Sequence, residues 1–146
     1  MSTLPLTASS TIIDEALAEG RRRKLYPLCV VVLDAGGHPL ALKREDKASS
    51  ARAVIATAKA AGCLSMGFGG REVARRAQGA PAFYGTLAML LPNGLLPVPG
   101  GVLIRDASGT LLGAVGVTGD SSDNDELCAL AGIAAAGLVA DTGASA

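Results

Sequence analysis

One histidine, a lysine set among alanines, an Arg-x-Asp step and a run of acidic residues are the side chains in this sequence that could do chemistry. His38 is the only histidine, which excludes a multi-histidine metal centre and any Ser–His triad that does not use it. One imidazole can still ligate haem iron, which makes His38 the candidate metal ligand, or it can exchange protons near neutral pH. The plainer reading is a hydrogen-bonded turn residue at a strand start. Lys59 sits between Ala58 and Ala60, with Ile55 and Gly62 on the same helical face. A lysine leaning into an apolar pocket loses part of its charge and becomes a base or an anion clamp. Against that stands snorkelling, with an apolar stem and a wet ammonium.

Arg44 and Asp46 stand two apart and would share one face if the strand persisted. They either bridge to fix a loop, or Arg44 offers its planar fork to a substrate carboxylate. Pro99-Gly100-Gly101 could turn backbone N–H groups toward an anion. A strand follows it rather than a helix, so it is neither a dinucleotide nor a P-loop fingerprint, and a simple bend explains it as well. Gly116 and Gly119 near a strand end suggest close approach of a ligand or of backbone, or a bulge. In Asp120-Ser121-Ser122-Asp123-Asn124-Asp125-Glu126 the sixth position, where a calcium loop needs glycine, is Asp125. An EF-hand is therefore rejected. The run caps a helix, or Asp125 or Glu126 serves as a general base if the helix start faces a pocket.

The elements that must hold these groups follow from pattern. Thr7 is the expected N-cap of a first helix to about Arg23, with Ile12, Ile13, Ala16 and Leu17 as its apolar stripe. Arg21-Arg22-Arg23-Lys24 forms a solvated cationic end that suits the helix dipole. Leu28 to Leu33 is a short apolar run without alternation, as for a strand buried on both faces. Asp34-Ala35-Gly36-Gly37 turns the chain, and His38 to Arg44 returns as the partner strand. Ser49 or Ser50 caps a second helix through Arg52–Ala61. Short helices are expected over Arg71–Gln78 and Ala82–Leu90. Gly101–Arg105 and Thr110–Val117 form a second hairpin about Asp106-Ala107-Ser108-Gly109. A last helix begins near Ser122, with Leu127, Leu130, Ala131, Ala134 and Leu138 along one face and acidic residues in its first turn. Asp141 to Ala146 reads as a frayed tail. Hairpins dominate, so the class is α+β with a largely antiparallel sheet.

Composition bounds the rest. A chain of 146 residues suits a single domain, residues 1–146, with an ordered core over about 6–138. Charged residues are 18%, against a usual ~25%, too few to cover a small domain unless other subunits cover apolar surface. The 13 basic and 13 acidic residues cancel and aromatics are 3%, which disfavours nucleic acid. Cys29, Cys63 and Cys128 are odd in number, far apart and without metal spacing, as for reduced thiols in a cytoplasmic protein. The uncharged stretch Ala77 to Ile104 holds four prolines and five glycines, so it reads as loops rather than a membrane span.

Five short motifs occur in order: Val31-Val32-Leu33-Asp34-Ala35-Gly36-Gly37-His38, Lys43-Arg44-Glu45-Asp46, Pro99-Gly100-Gly101-Val102, Gly113-Ala114-Val115-Gly116-Val117-Thr118-Gly119 and Asp125-Glu126. Together they resemble the GlcG/HbpS family over roughly Leu6 to Leu138. That family includes haem-binding HbpS-type proteins and the C-terminal domain of PduO-type corrinoid adenosyltransferases. The resemblance implies a profilin-like three-layer α/β/α domain with a five-stranded antiparallel sheet, assembling as a homo-oligomer from dimer up to octamer. Asp46-Lys47-Ala48 stands where Asp-Gly-Ala is usual, and Leu103 replaces a second proline. The implied function is small-molecule binding, of haem or a corrinoid-like cofactor, at a subunit interface. His38, Arg44, Gly100, Gly101, Gly116 and Thr118 are the candidate contacts. The alternative is a cofactor-independent isomerase, lyase or cyclase on a small anionic or carbonyl metabolite, with Lys59, Asp125 and Glu126 as catalytic groups. A third reading is a non-catalytic oligomeric partner domain.

Overall fold

The computed structural model describes residues 3–144. Its elements run α1 (Leu6–Arg22), β1 (Cys29–Asp34), β2 (Pro39–Arg44), α2 (Ala51–Met66), α3 (Gly70–Gly79), α4 (Pro81–Leu90), β3 (Gly101–Arg105), β4 (Leu111–Thr118), α5 (Ser122–Ala135) and β5 (Val139–Asp141). The five strands form one sheet in the order β2-β1-β4-β3-β5, every neighbouring pair antiparallel. The α+β class and the five-stranded antiparallel sheet are therefore as expected.

Alternation along the strands builds two cores. Val30, Val32, Val102, Ile104, Val115 and Val117 pack with Ile12, Ile13, Cys128 and Ile133 from α1 and α5. Cys29, Val31, Leu33, Leu103 and Ala114 point the other way, onto Ala56, Ala60 and Cys63 of α2. Both faces of β1 are covered, which is why its sequence shows no polar alternation. A smaller cluster of Val73, Ala77, Tyr84 and Leu95 joins α3 and α4.

Several local expectations give way. Thr7 is not a cap: Pro5 precedes the helix with φ −67° and ψ 153°, and the Thr7 carbonyl lies inside α1, accepting from Thr11 Oγ1 at 3.1 Å. Ser50 stands at the start of α2 in helical conformation and makes no side-chain cap. Helix α2 runs past Ala61 to Met66, where Gly67 at φ +78° donates its N–H to the Cys63 carbonyl at 2.8 Å. The buried face of α5 is Cys128, Ala129, Gly132 and Ile133, not the line through Leu127, Leu130 and Ala134. Its small residues decide this, because a methyl on Gly132 would overlap the Ile12 carbonyl of α1. Asp141, expected in a frayed tail, closes the short strand β5, and the Thr142 carbonyl accepts the Arg71 N–H at 2.9 Å. Residues 145–146 of that expected tail lie outside the described residues. Lys47 has φ +71°, a backbone conformation that a side chain beyond glycine adopts at a cost.

Candidate functional site

The register of the sheet sorts the candidate residues into two ends. Arg44 pairs with Cys29, and Cys29 with Thr118, so these three share one row at one end. Gly101 pairs with Gly116 close by. His38 sits in the turn beyond Asp34, and Asp34 pairs with Gly113 at the far end. The length of β1 separates the two ends, roughly 17 Å at ~3.3 Å per residue. His38 therefore does not join the other candidates.

At the first end Lys59 and Asp125 meet. The Lys59 ammonium donates to the Val117 carbonyl at 2.9 Å and to Asp125 Oδ2 at 3.1 Å. Asp125 Oδ1 accepts the Asp120 N–H at 3.0 Å. Lys59 is 4% exposed and Asp125 1%. Burial pushes the ammonium down from its ordinary value while Asp125 opposes the shift. Burial likewise pushes the Asp125 carboxyl up while Lys59 opposes it. Each charge offsets part of the other's desolvation. Lysine snorkelling is overturned, since the ammonium is internal and bonded. The pair ties α2, on one face of the sheet, to α5 on the other, around the end of β4. In this conformation a substrate cannot reach the carboxylate.

The glycines here make room for α2. A methyl on Gly116 would overlap the Ala56 carbonyl, and one on Gly101 would lie 2.5 Å from the Lys59 carbonyl. Gly100, at φ +114°, brings its carbonyl to the Val117 N–H at 2.9 Å, and a methyl there would meet Lys59 Nζ at 2.8 Å. Backbone approach of α2 explains Gly116 and Gly101, and the Lys59 side chain with the Val117 carbonyl of β4 explains Gly100. Thr118 accepts from Arg52 Nη1 at 2.8 Å. Arg44 Nη1 donates to the Ala48 carbonyl at 2.6 Å, and among the described residues it forms no ion pair with Asp46, because β2 ends at Arg44. Glu126 lies next to Asp125 in sequence but faces elsewhere. Its carboxylate accepts from Arg71 Nε at 3.0 Å, and Arg71 Nη2 also reaches Asp123 at 2.7 Å.

At the second end Asp34 Oδ1 accepts the N–H groups of Gly36 at 2.9 Å and His38 at 3.0 Å, which fixes the turn. His38 is exposed and stands between two clefts. One, of about 400 Å³, runs to Leu4, Leu40 and Leu112. The other, of about 350 Å³, runs to Ala61, Leu64, Ser65, Pro92 and Asn93. Pro92 and Asn93 also line a groove of about 780 Å³ between α2 and the α4–β3 loop. Ala53, Val54, Ala58, Ala88, Leu91 and Leu96 are among its walls, and no charged residue is.

Sequence reasoning missed Arg52, Arg71 and this groove. The signal for the groove was present: it borders the stretch Ala77 to Ile104, which carries no charge. The arginines gave no signal, since their partners lie 66 and 55 residues away. All three cysteines are buried and free. Burial pushes the Cys63 thiol up to about 12 and the Cys128 thiol to about 11, so neither is a ready nucleophile. Among the described residues no cluster of three or more His, Cys, Asp or Glu could hold a metal ion, and no single helix is long and apolar enough to cross a membrane.

The family model for haem degrading protein HbpS-like matches residues 4–134. No curated protein matches the chain. Among solved structures, a PduOC–heme complex superposes with a TM-score of 0.83 at 23% identity, over 94% of this chain and 97% of that one. A double mutant of Streptomyces reticuli HbpS gives 0.79 at 28% identity, over 92% and 87%. The Klebsiella pneumoniae protein ORFY gives 0.82 at 24% identity, over 94% and 92%.

Proposed function

Because the chain belongs to the haem degrading protein HbpS-like family, we propose that it binds a haem-type small molecule at the His38 end of the sheet, with His38 as the iron ligand. The observation that carries this reading is that two spaces adjoin. The cleft beside the chain's only imidazole and the large apolar groove share Pro92 and Asn93. A volume of about 780 Å³ lies within the range of ~300–1,000 Å³ usual for ligand sites. Its aliphatic walls suit the face of a macrocycle. The lining carries no charge, so the acidic substituents of a haem would turn outward to solvent. The cleft that His38 lines would take the metal-bearing part of the ring, with the adjoining apolar groove beyond Pro92 and Asn93 to receive its edge. Once bound, haem supplies one-electron and oxygen chemistry that the side chains lack. The chain's own part is to hold the ring in apolar surroundings and to fix the turn that carries the imidazole through Asp34.

The family's description as haem degrading supports the same ligand class, and the PduOC–heme complex, at 23% identity, shares the fold. Arg44, Gly100, Gly101, Gly116 and Thr118 belong to the other end of the sheet and have no part in this site. The enzyme reading built on Lys59, Asp125 and Glu126 loses support, because each of these side chains is buried and engaged within the protein. Reduced, buried thiols suit work in the cytoplasm.

Titration with hemin tests the proposal. A sharp Soret shift saturating at one haem per chain is expected, with His38→Ala weakening the affinity roughly tenfold or more. A weak, non-saturating shift, or one that His38→Ala leaves unchanged, refutes the site. Cobalamin in the same titration separates a corrinoid from haem.

A further inference from the structure

Most cations of this chain are matched to a carboxylate. Among the described residues, Lys24, Arg44, Lys47 and Arg52 are the ones that form no ion pair. All but Lys24 fall in the short passage from the end of β2 to the first turn of α2. Arg44 and Lys47 are exposed, and Arg52 is half-buried. A single exposed cation is ordinarily just solvated. The placing of the two arginines says more.

Arg44 and Thr118 flank Cys29 in one row across three strands. Residues paired across strands point to the same face, and Cys29 packs toward α2. Arg44 Nη1 donates to the Ala48 carbonyl, shortly before α2, at 2.6 Å. Arg52 Nη1, from the first turn of α2, donates to Thr118 Oγ1 at 2.8 Å. Two guanidinium groups are thus fastened on either side of Cys29, each through one of its five N–H donors. The acids nearby do not answer them. Glu45 is taken by Arg21 and the Leu28 N–H, and Asp125 by Lys59.

The fields of both arginines reach inward. Burial pushes the Cys29 thiol up, and the Arg44 charge opposes it. Burial pushes the Lys59 ammonium down against the pull of Asp125, and the Arg52 charge adds a smaller push the same way. This end of the sheet therefore carries positive charge in surplus. We propose that Arg44 and Arg52 together hold a small dianionic metabolite, its charge carried by two carboxylates or by one phosphate. The planar fork of arginine suits either group, two N–H donors to two oxygens. Arg44 also borders a cleft of about 550 Å³ with Leu17 and Pro27 among its walls, which gives a short carbon skeleton a place to lie. Glu45 and Asp46 stand on the same rim and repel a long polyanion, so the guest is small. The site shares no residue with the His38 end of the sheet.

Isothermal titration calorimetry at low ionic strength tests it, with succinate and inorganic phosphate as probes and sodium chloride as the control. At least one probe should bind saturably, one per chain, at about 1 mM or tighter. Which of them binds separates a dicarboxylate from a phosphate. Acetate, a monoanion, should bind roughly tenfold more weakly or worse. Arg44→Gln and Arg52→Gln should each weaken binding roughly tenfold or more. Arg52→Lys should restore only part of the loss, because an ammonium lacks the fork. Arg22→Gln, at an exposed arginine paired with Glu19, should leave binding unchanged. Should Arg52→Gln lose its native circular dichroism spectrum, Arg44→Gln, at an exposed residue, still decides. The inference is overturned if neither probe saturates, if acetate matches them, or if binding survives the arginine variants. Hemin titration of Arg44→Gln should match the wild type. A loss there assigns the arginine to the haem site and overturns a separate anion site, while leaving haem binding itself intact.

Discussion

Helix α2 serves two regions that contrast sharply. Toward the sheet it carries Lys59 into a closed junction with Val117 and Asp125, where glycines let backbone meet backbone. Toward solvent it offers Val54 and Ala58 to an open, uncharged groove. The junction holds the residue types most associated with catalysis, and the structure uses them up in holding two helical layers around the end of β4. The open face holds residues with no chemistry of their own, and it has the room for a ligand or a partner. A buried charge pair is thus poor evidence for catalysis until a space is found beside it.

The largest test of this contrast removes half of the charge pair. Lys59→Met should cost about 3–5 kcal/mol in urea denaturation, because Asp125 is left charged and unpartnered in the interior. Adding Asp125→Asn should recover most of that loss, since the amide can still accept the Asp120 N–H. If Lys59→Met is tolerated, the junction is not structural and the base reading revives. A gentler test makes one change in both regions. Gly116→Ala should cost about 1–3 kcal/mol or more, because its methyl collides with the Ala56 carbonyl. Gly85→Ala on α4, where a methyl meets nothing within 4 Å, should be neutral or stabilising by up to about 1 kcal/mol. Equal costs at the two positions would erase the contrast between closed and open sides.

The smallest effect concerns pH at the rim of the junction. The Asn124 amide first, then the Ser121 and Tyr26 N–H groups, hold the Asp120 carboxyl below its ordinary value of 3.8. The unfolded chain therefore takes up this proton first as pH falls. The stabilisation is fully present above 3.8 and fades as pH drops through the lower folded value. Asp120→Asn should flatten the acid limb of stability below pH 4 and leave the slope at neutral pH unchanged.

Much of the fold was legible because it depends on nearest neighbours in sequence. The run Cys29 to Leu33, the two glycine-bearing hairpin turns and the strand Gly101–Arg105 all announced themselves through local pattern. β5 did not, for three residues of Val-Ala-Asp carry no period and become a strand only because β3 offers an edge. The packed face of α5 was misjudged for a related reason. Pattern reading follows the large leucines, whereas close helix contact with α1 selects Ala129, Gly132 and Cys128.

For the site, the residue types could be named but not grouped. By itself the sequence determined which groups were available: one imidazole, a lysine without polar helical neighbours, an acidic helix start and a long uncharged stretch. Only the tertiary structure decided that Lys59 and Asp125, 66 residues apart, neutralise one another, while His38 stands at the opposite end of the sheet beside a cleft of about 350 Å³. The physical reason is that propensity and periodicity act over a few residues. The pairing of charges and the shaping of cavities depend on which surfaces the sheet brings face to face.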